Sequence, residues 1–213
     1  MQERAPAGPF SFCEDMNDYF AVFGLPRKLQ LDPEELRRRF YELSRVHHPD
    51  FHQGASEEDQ AEALSASALL NRAYRVLRDP VSRVEYLIAL EDGRETRDGA
   101  DARPRAPVDL LEEIMEVQEA LQEARSAGLD GASRRRLSEE RQRLMARQAA
   151  EEQAIAARAA EWDAVVVGPG DRTALREWFK QRLAARAYLR TVIDDLSDAL
   201  GEGEERHVSH RRH

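Results

Sequence analysis

The sequence lacks the residues that a disulfide framework, a cysteine-based metal site or a membrane span would need. Its 213 residues include a single cysteine, Cys13, so an internal disulfide and a four-cysteine zinc site are both excluded. No apolar run approaches the roughly 18 residues of a membrane-spanning helix. The segment before Asn17 has no apolar core of the signal-peptide type, and acidic residues such as Glu3 and Glu14 argue against a transit peptide. We therefore expect a cytoplasmic protein.

Aromatic residues are also scarce, at 7%, whereas charged residues make up 34% of the chain. The abundance of Ala, Leu, Glu and Arg favours helices, and the predicted fold class is all-α. The formal net charge of −9 argues against general nucleic-acid binding, and nothing indicates binding to a membrane. The expected partners are therefore other proteins.

Two long helices are predicted in the first half. Asp32 and Pro33 supply an N-cap and a proline at the first helical position, and Pro49 ends this helix near His48. The second helix is predicted from about Glu57 to Arg78. Its expected core stripe is Ala63, Leu64 (or Ser67), Leu70, Ala73, Tyr74 and Leu77.

Shorter helices, at residues 17–23 and 80–90, are expected to flank this pair and complete a compact domain. Residues 92–107 combine Gly, Pro and charge without an apolar stripe and are predicted to be a linker. Three further helices, expected to form a bundle, are predicted at Val108–Ala127, Ser133–Glu161 and Asp171–Leu200. The ends, residues 1–15 and 201–213, are expected to be flexible or disordered.

The most informative segment is His48-Pro49-Asp50, at the end of the first long helix. Residues 70–77 (LNRAYRVL) and then Asp79-Pro80 follow after the loop. In this order and at these spacings the segment resembles a J-domain, in which a His-Pro-Asp loop joins two long antiparallel helices. The resemblance implies that the loop contacts a DnaK-type chaperone and favours the state of the chaperone that hydrolyses ATP.

The helix that leads into this loop has two faces. Leu36, Phe40, Leu43 and His47 share one face, whereas Arg37, Arg38, Tyr41 and Arg45 fall on the other. A cluster of arginines in an acidic protein can guide the chain to an acidic partner surface. The predicted chaperone-binding residues are His48, Pro49, Asp50, Arg37, Arg38, Tyr41 and Arg45.

Two other interpretations of the loop are weaker. His47, His48, Asp50 and His52 could be taken for a metal cluster, but Pro49 extends the chain between ligands that would have to converge. A His/Asp hydrolase pair would lack a nearby nucleophile. We therefore predict no catalytic residue, no metal site, no cofactor and no enzymatic activity of this chain.

Two further segments narrow the resemblance. Residues 18–26 (DYFAVFGLP) and 83–87 (RVEYL) are similar to the HscB co-chaperones of iron–sulfur cluster assembly. The resemblance implies a J-domain at 16–91, a helical scaffold-binding domain at 108–200 and an L-shaped molecule. Some members of that family begin with cysteine pairs that could hold zinc, but here only Cys13 is present.

The helix that begins at Val108 has three faces. Its core stripe is Leu110, Ile114, Val117 and Leu121, and its acidic stripe is Glu112, Glu116, Glu119 and Glu123. Leu111 and Met115 lie between the two stripes, which is the composition of a docking surface for an apolar patch rimmed by Lys or Arg. The HscB resemblance implies scaffold binding by Leu111, Met115, Glu116, Glu119, Glu123 and Tyr188. Glu112 stands where a second apolar residue is common in that family.

The predicted function is a co-chaperone that stimulates a DnaK/HscA-like ATPase and delivers an IscU-type iron–sulfur scaffold protein to it. The alternative is a general J-domain adaptor, whose helical second half recognises another client or forms an oligomer. A metal-dependent hydrolase is the third and weakest interpretation.

Overall fold

The structure, a computed structural model, describes residues 18–52, 54–93, 108–167 and 172–201. Within those ranges the chain forms α-helices and one 3₁₀ turn, and no strand. The helices are α1 (Tyr19–Val22), α2 (Pro33–Val46), α3 (Glu57–Arg78), α4 (Pro80–Glu91), α5 (Val108–Ala127), α6 (Gly131–Ala157), α7 (Ala159–Val167) and α8 (Thr173–Leu200). The 3₁₀ turn, Pro49–His52, lies between α2 and α3. The all-α fold class is confirmed.

The chain divides into two compact units. The first comprises Met1–Gly99 together with Ala159–Pro169, and the second comprises Ala100–Arg158 together with Gly170–His213. The predicted N-terminal segment, most of the predicted linker, nearly all of the predicted tail and Cys13 lie outside the described residues. The domain boundaries at 16–91 and 108–200 and the L shape stay predictions.

In the first unit α2 and α3 pack against each other, and the short turn between them packs against α3. Asp32 caps α2 by accepting a hydrogen bond from the Glu34 backbone N–H at 2.9 Å, as its position before Pro33 predicts. The rings of Phe40 and Tyr74 stack across the pair with centroids 4.2 Å apart. This stack fixes the register of the two antiparallel helices.

The predicted burial of one core residue of α3 is wrong. Leu64 is 62% exposed, whereas the buried residues of α3 are Ala63, Ala66, Leu70, Ala73 and Leu77. These five recur every three or four residues and define one stripe. At about 100° per residue, Leu64 lies roughly 140° away from the centre of that stripe. The alternative position, Ser67, is partly buried.

The segment α4 supplies two buried polar groups to the first unit. The Arg83 guanidinium donates hydrogen bonds to the backbone carbonyls of Leu77, at 2.7 Å, and of Leu29. Its burial lowers the pKa of Arg83. The Tyr86 hydroxyl accepts a hydrogen bond from the Tyr19 backbone N–H at 2.7 Å, and the two rings stack. Through Leu29 and Tyr19, both groups therefore connect α4 to the segment that precedes α2.

A segment from late in the sequence also belongs to the first unit. The carboxylate of Asp163, in α7, accepts hydrogen bonds from the backbone N–H groups of Leu29 and Gln30, each at 2.8 Å. These are the residues that lead into the N-cap of α2. Trp162, also in α7, is completely buried. Nothing in the local sequence around Asp163 predicts this role.

The second unit is a three-helix bundle of α5, α6 and α8, which pack pairwise. Its core combines buried residues from all three helices, including Leu110, Leu121, Leu144, Leu189 and Leu196. The predicted end of the middle helix at Glu161 is wrong, because α6 stops at Ala157 and α7 begins at Ala159. Arg158 leaves helical geometry, and its guanidinium lies over the Trp178 ring at 4.5 Å from the centroid.

Within the described ranges, none of the helices combines the length and the apolar character that crossing a bilayer requires.

Candidate functional site

The His48-Pro49-Asp50 segment lies at the end of the α2–α3 pair, where Pro49–His52 form the 3₁₀ turn. The side chain of Pro49, a predicted chaperone-binding residue, lies outside the described part of the structure. The imidazole Nδ1 of His48 accepts a hydrogen bond from the Asp50 backbone N–H at 3.2 Å, and the His48 carbonyl accepts one from the Phe51 N–H at 3.0 Å. In the neutral ring the proton therefore lies on Nε2, which remains a donor. The turn holds its own polar groups in place, and the side chains of His48 and Asp50 are open to solvent.

The face of α2 beside this turn carries the predicted basic cluster. Arg37, Arg38, Tyr41 and Arg45 are all exposed. Arg37 pairs with Glu34, and Arg38 lies 3.9 Å from Glu42, so both ion pairs are on the helix surface. Such pairs contribute about 0–1 kcal/mol and leave the arginines available to a partner.

Two large apolar side chains near the turn were missed as site residues by the sequence analysis. Phe51 is 72% exposed, and its ring meets the His48 ring edge-on at 6.0 Å. Leu64, about two turns into α3, is the second. A signal for Leu64 existed in the sequence, since it falls outside the three-and-four spacing of the other apolar residues of α3.

On α5 the three predicted faces are present. Leu110, Val117 and Leu121 are buried in the bundle core, and Ile114 packs against it. Leu111 is 41% exposed and Met115 is 64% exposed. The side chains of the acidic stripe, Glu112, Glu116, Glu119 and Glu123, are all exposed.

One glutamate of α5 has a different position from the acidic stripe. Glu113 is only 16% exposed, and it pairs with Arg147 and, at 3.4 Å, with Arg143 of α6. It therefore ties α5 to α6, whereas the acidic stripe faces solvent.

Tyr188 lies on α8 and packs, partly buried, against the core of the bundle. The Gln118 side chain of α5 donates a hydrogen bond to Asp195 of α8 at 3.3 Å. Both α5 and α8 run antiparallel to α6. From α5, Glu113 pairs with Arg147 and the later Glu123 pairs with the earlier Arg136 of α6. From α8, Arg182 pairs with Glu151 and the later Leu200 carbonyl contacts the earlier Arg134 of α6. The helices α5 and α8 are therefore parallel to each other.

This parallel arrangement relates Tyr188 to the apolar pair of α5. About two helical turns before the Gln118–Asp195 contact, α5 carries Leu111 and α8 carries Tyr188. Because two turns return a residue to nearly the same face of its helix, Leu111 and Tyr188 lie at the same level of the α5–α8 groove.

In the described parts of the chain, no group of three or more His, Cys, Asp or Glu side chains converges as metal ligands would. His48 and Asp50, two of the residues considered as metal ligands, lie side by side, with Nδ1 and Oδ2 3.6 Å apart.

Comparison with known proteins agrees with these features. The DnaJ domain family matches residues 18–86. The human co-chaperone protein HscB is 25% identical, with 91% of this chain and 84% of that chain covered and a TM-score of 0.59. Chaperone HscB from Vibrio cholerae shares the fold at 24% identity, with 87% and 98% covered and a TM-score of 0.59. The chain therefore contains a DnaJ domain at residues 18–86, and its fold is similar to that of the HscB co-chaperones.

Proposed function

We propose that this chain stimulates ATP hydrolysis by a DnaK/HscA-like chaperone and delivers an IscU-type iron–sulfur scaffold protein to it. The observation that carries the proposal is the presence, on one chain, of an exposed His-Pro-Asp turn and of an exposed apolar strip beside a row of carboxylates. The first has the composition of a contact for the chaperone, and the second has that of a contact for a client. The chain itself performs no chemistry in this proposal.

The chaperone end acts through binding energy alone. A ligand shifts a conformational equilibrium only as far as it binds one state more tightly than the other. The turn is suited to this task because its internal hydrogen bonds, from the N–H groups of Asp50 and Phe51 to His48, order it before binding. His48 and Asp50 then present a donor and a carboxylate to the state of the chaperone that hydrolyses ATP.

The arginines beside the turn support an acidic partner surface. The chain has a formal net charge of −9, yet Arg38 and Arg45 are exposed on the side of α2 that carries Tyr41. A local positive patch on an acidic protein orients its encounter with an acidic partner, because the remaining, negatively charged surface repels that partner.

The scaffold end combines apolar contact with charge. Leu111 and Met115 lie on α5 next to the carboxylates of Glu116, Glu119 and Glu123. Tyr188 stands at the level of Leu111 across the α5–α8 groove, which supports a role for this aromatic side chain at the same surface. A partner with an apolar patch and a rim of Lys or Arg fits this arrangement.

The exposed Glu112 favours a second candidate, a J-domain adaptor for another client. A charged residue at this position gives the surface less apolar area than the HscB resemblance implies. The two candidates share the chaperone end and differ only in what the bundle recognises.

Steady-state ATP hydrolysis by the cognate chaperone, with and without the IscU-type scaffold, tests the proposal. We expect stimulation by the wild-type chain and a larger, synergistic stimulation when the scaffold is present. His48→Gln should abolish both effects, because it removes a contact made only in the hydrolysing state.

The variant Leu111→Glu/Met115→Glu should keep the stimulation seen without scaffold and lose the synergy. Its matched control is Met145→Gln, which changes another exposed methionine of the bundle. Stimulation that is indifferent to scaffold would favour the adaptor, and the absence of stimulation would contradict the proposed function.

A further inference from the structure

Two apolar side chains at the loop end of the α2–α3 pair have no role in the function described above. Phe51 is 72% exposed in the 3₁₀ turn, and Leu64 is 62% exposed on α3. Neither contributes to the buried core of the first unit. Exposed large apolar side chains that lie near a predicted binding loop are typical of a contact site.

The register of the helices brings Leu64 to the level of the turn. The stack of Phe40 on Tyr74 sets these two residues opposite each other. In an antiparallel pair, each step toward the end of α2 corresponds to one step back along α3, so Val46, the last residue of α2, is level with Ala68. Leu64 therefore lies about one helical turn beyond the end of α2, on the side of the 3₁₀ turn. The 3₁₀ turn packs against α3, which agrees with this placement.

Leu64 also lies on the same outer face as the basic cluster of α2. Tyr41 is about 140° around α2 from the buried Leu36, and Leu64 is about 140° around α3 from its buried stripe. The stacked rings of Phe40 and Tyr74 mark the sides on which the two helices face each other. On each helix, this side lies between the buried core residues and the outer face. Tyr41 and Leu64 therefore lean toward the groove between α2 and α3 on one face, with Arg45 between their levels.

We propose that Leu64 and Phe51 form an apolar extension of the chaperone-binding surface. This apolar extension would carry the contact from the His-Pro-Asp turn across the groove onto α3. The inference rests on the proposed function, since its occupant is the same ATP-bound DnaK-family chaperone. The complementary surface is one or two apolar side chains flanked by carboxylates, which would face Arg45 and Arg38.

The charges on this face favour the chaperone over a second copy of the chain. In a two-fold symmetric dimer each patch meets its own copy. Arg38 and Arg45, both exposed, would then approach the same residues of the other copy and repel them. Continuity with the turn through the contact between the Phe51 and His48 rings also places the apolar extension within the chaperone interface.

The test measures the dissociation constant for the ATP-bound chaperone by fluorescence anisotropy, at low and at high KCl, with the full chain. The variants are Leu64→Gln, Phe51→Gln and the double variant. We expect the double variant to bind about tenfold more weakly, the ratio that corresponds to about 1.4 kcal/mol. This ratio should be the same at both salt concentrations, because an apolar contact is not screened.

Two controls frame the result. Arg45→Ala should weaken binding at low KCl and less so at high KCl, as an electrostatic contact does. Met145→Gln, on the bundle, should leave the dissociation constant unchanged. Thermal unfolding should be unaffected in all variants, since each replaced side chain is exposed.

The outcomes separate this inference from the proposed function. A double variant that binds within twofold of wild type, while His48→Gln no longer binds, would contradict the apolar extension. That result would support the chaperone contact of the His-Pro-Asp turn. If wild type binds no DnaK-family chaperone, both fail. Weakening by the double variant that disappears at high salt would also overturn the inference, because the contact would then be electrostatic.

Discussion

At the scale of single residues, the buried phenol of Tyr86 shows how burial changes an ionisable group. Its hydroxyl accepts the Tyr19 backbone N–H, and its ring stacks on the Tyr19 ring at 4.3 Å between centroids. Burial disfavours the charged phenolate and raises the pKa of Tyr86 above its ordinary value. The folded protein therefore holds this proton more tightly than the unfolded chain does.

This difference predicts a loss of stability at alkaline pH. Above about pH 10 the unfolded chain releases the Tyr86 proton, whereas the folded protein keeps it. The unfolded state then binds fewer protons, so the free energy of unfolding falls as pH rises, by up to about 1.4 kcal/mol per pH unit. The contribution is fully present below pH 10 and is lost as pH rises toward the folded pKa.

Urea unfolding between pH 8 and pH 11 measures this effect. Tyr86→Phe should be less stable at pH 8 by about 1–3 kcal/mol, because the Tyr19 N–H loses its acceptor. The difference between the two proteins in free energy of unfolding should be smaller at pH 11. Tyr41→Phe, which removes an exposed phenol, is the control, and an equal slope in Tyr86→Phe and wild type would contradict the prediction.

Residues with local signals were predicted well, and residues with distant partners were not. The exposure of His48 and Asp50 follows from a turn between two helices. Leu64 was placed in the core, because its apolar character outweighed its spacing. The tie from Asp163 to Leu29 and Gln30 joins positions far apart in the chain and has no local signal.

At the scale of elements, helix starts follow local chemistry. Asp32 caps α2, and Asp79 caps α4 by accepting the Ser82 backbone N–H at 2.7 Å. Each aspartate precedes a proline, so the cap and the fixed backbone of the first turn were predictable. The break at Arg158 was not predicted, because neither Gly nor Pro marks it and the nearby ring of Trp178 belongs to another helix.

Two glutamates of α5, Glu113 and Glu116, are predicted to differ in their contribution to stability. Glu113→Gln should lower the free energy of unfolding by about 1–2 kcal/mol, because it weakens charge-assisted contacts to Arg143 and Arg147. Glu116→Gln should leave stability within about 0.5 kcal/mol of wild type, since this side chain is exposed.

Scaffold affinity should show the opposite order. By calorimetry, Glu116→Gln should weaken scaffold binding and Glu113→Gln should not, provided both are measured well below the unfolding temperature. Equal effects of the two variants on the free energy of unfolding, or on scaffold affinity, would contradict this prediction. The face of α5 toward α6 and its acidic stripe would then not have separate functions.

At the scale of the whole molecule, the two units carry different surfaces. The His-Pro-Asp turn belongs to the first unit, and the α5 surface belongs to the second. Covalent linkage raises the effective concentration of one partner for the other, and this gain requires no new contact.

Linkage predicts that two defective chains do not complement each other. A mixture of the His48→Gln chain and the Leu111→Glu/Met115→Glu chain contains one intact copy of each surface. We expect this mixture to show the stimulation seen without scaffold, which the Leu111→Glu/Met115→Glu chain supplies, and to lack the synergy with scaffold. Full synergy in the mixture, measured as ATP hydrolysis, would show that linkage is unnecessary.

The sequence by itself determined the helical class, most helix bounds, the position of the His-Pro-Asp turn and the three faces of α5. All of these depend on neighbours within about one or two helical turns, where spacing and capping act directly. Only the tertiary structure decided the grouping of α7 with the first unit, the division of α6 from α7, and the level of Tyr188 beside Leu111. It also decided that Leu64 faces solvent on the side of the basic cluster. These features depend on contacts between residues far apart in the chain, which local periodicity does not encode.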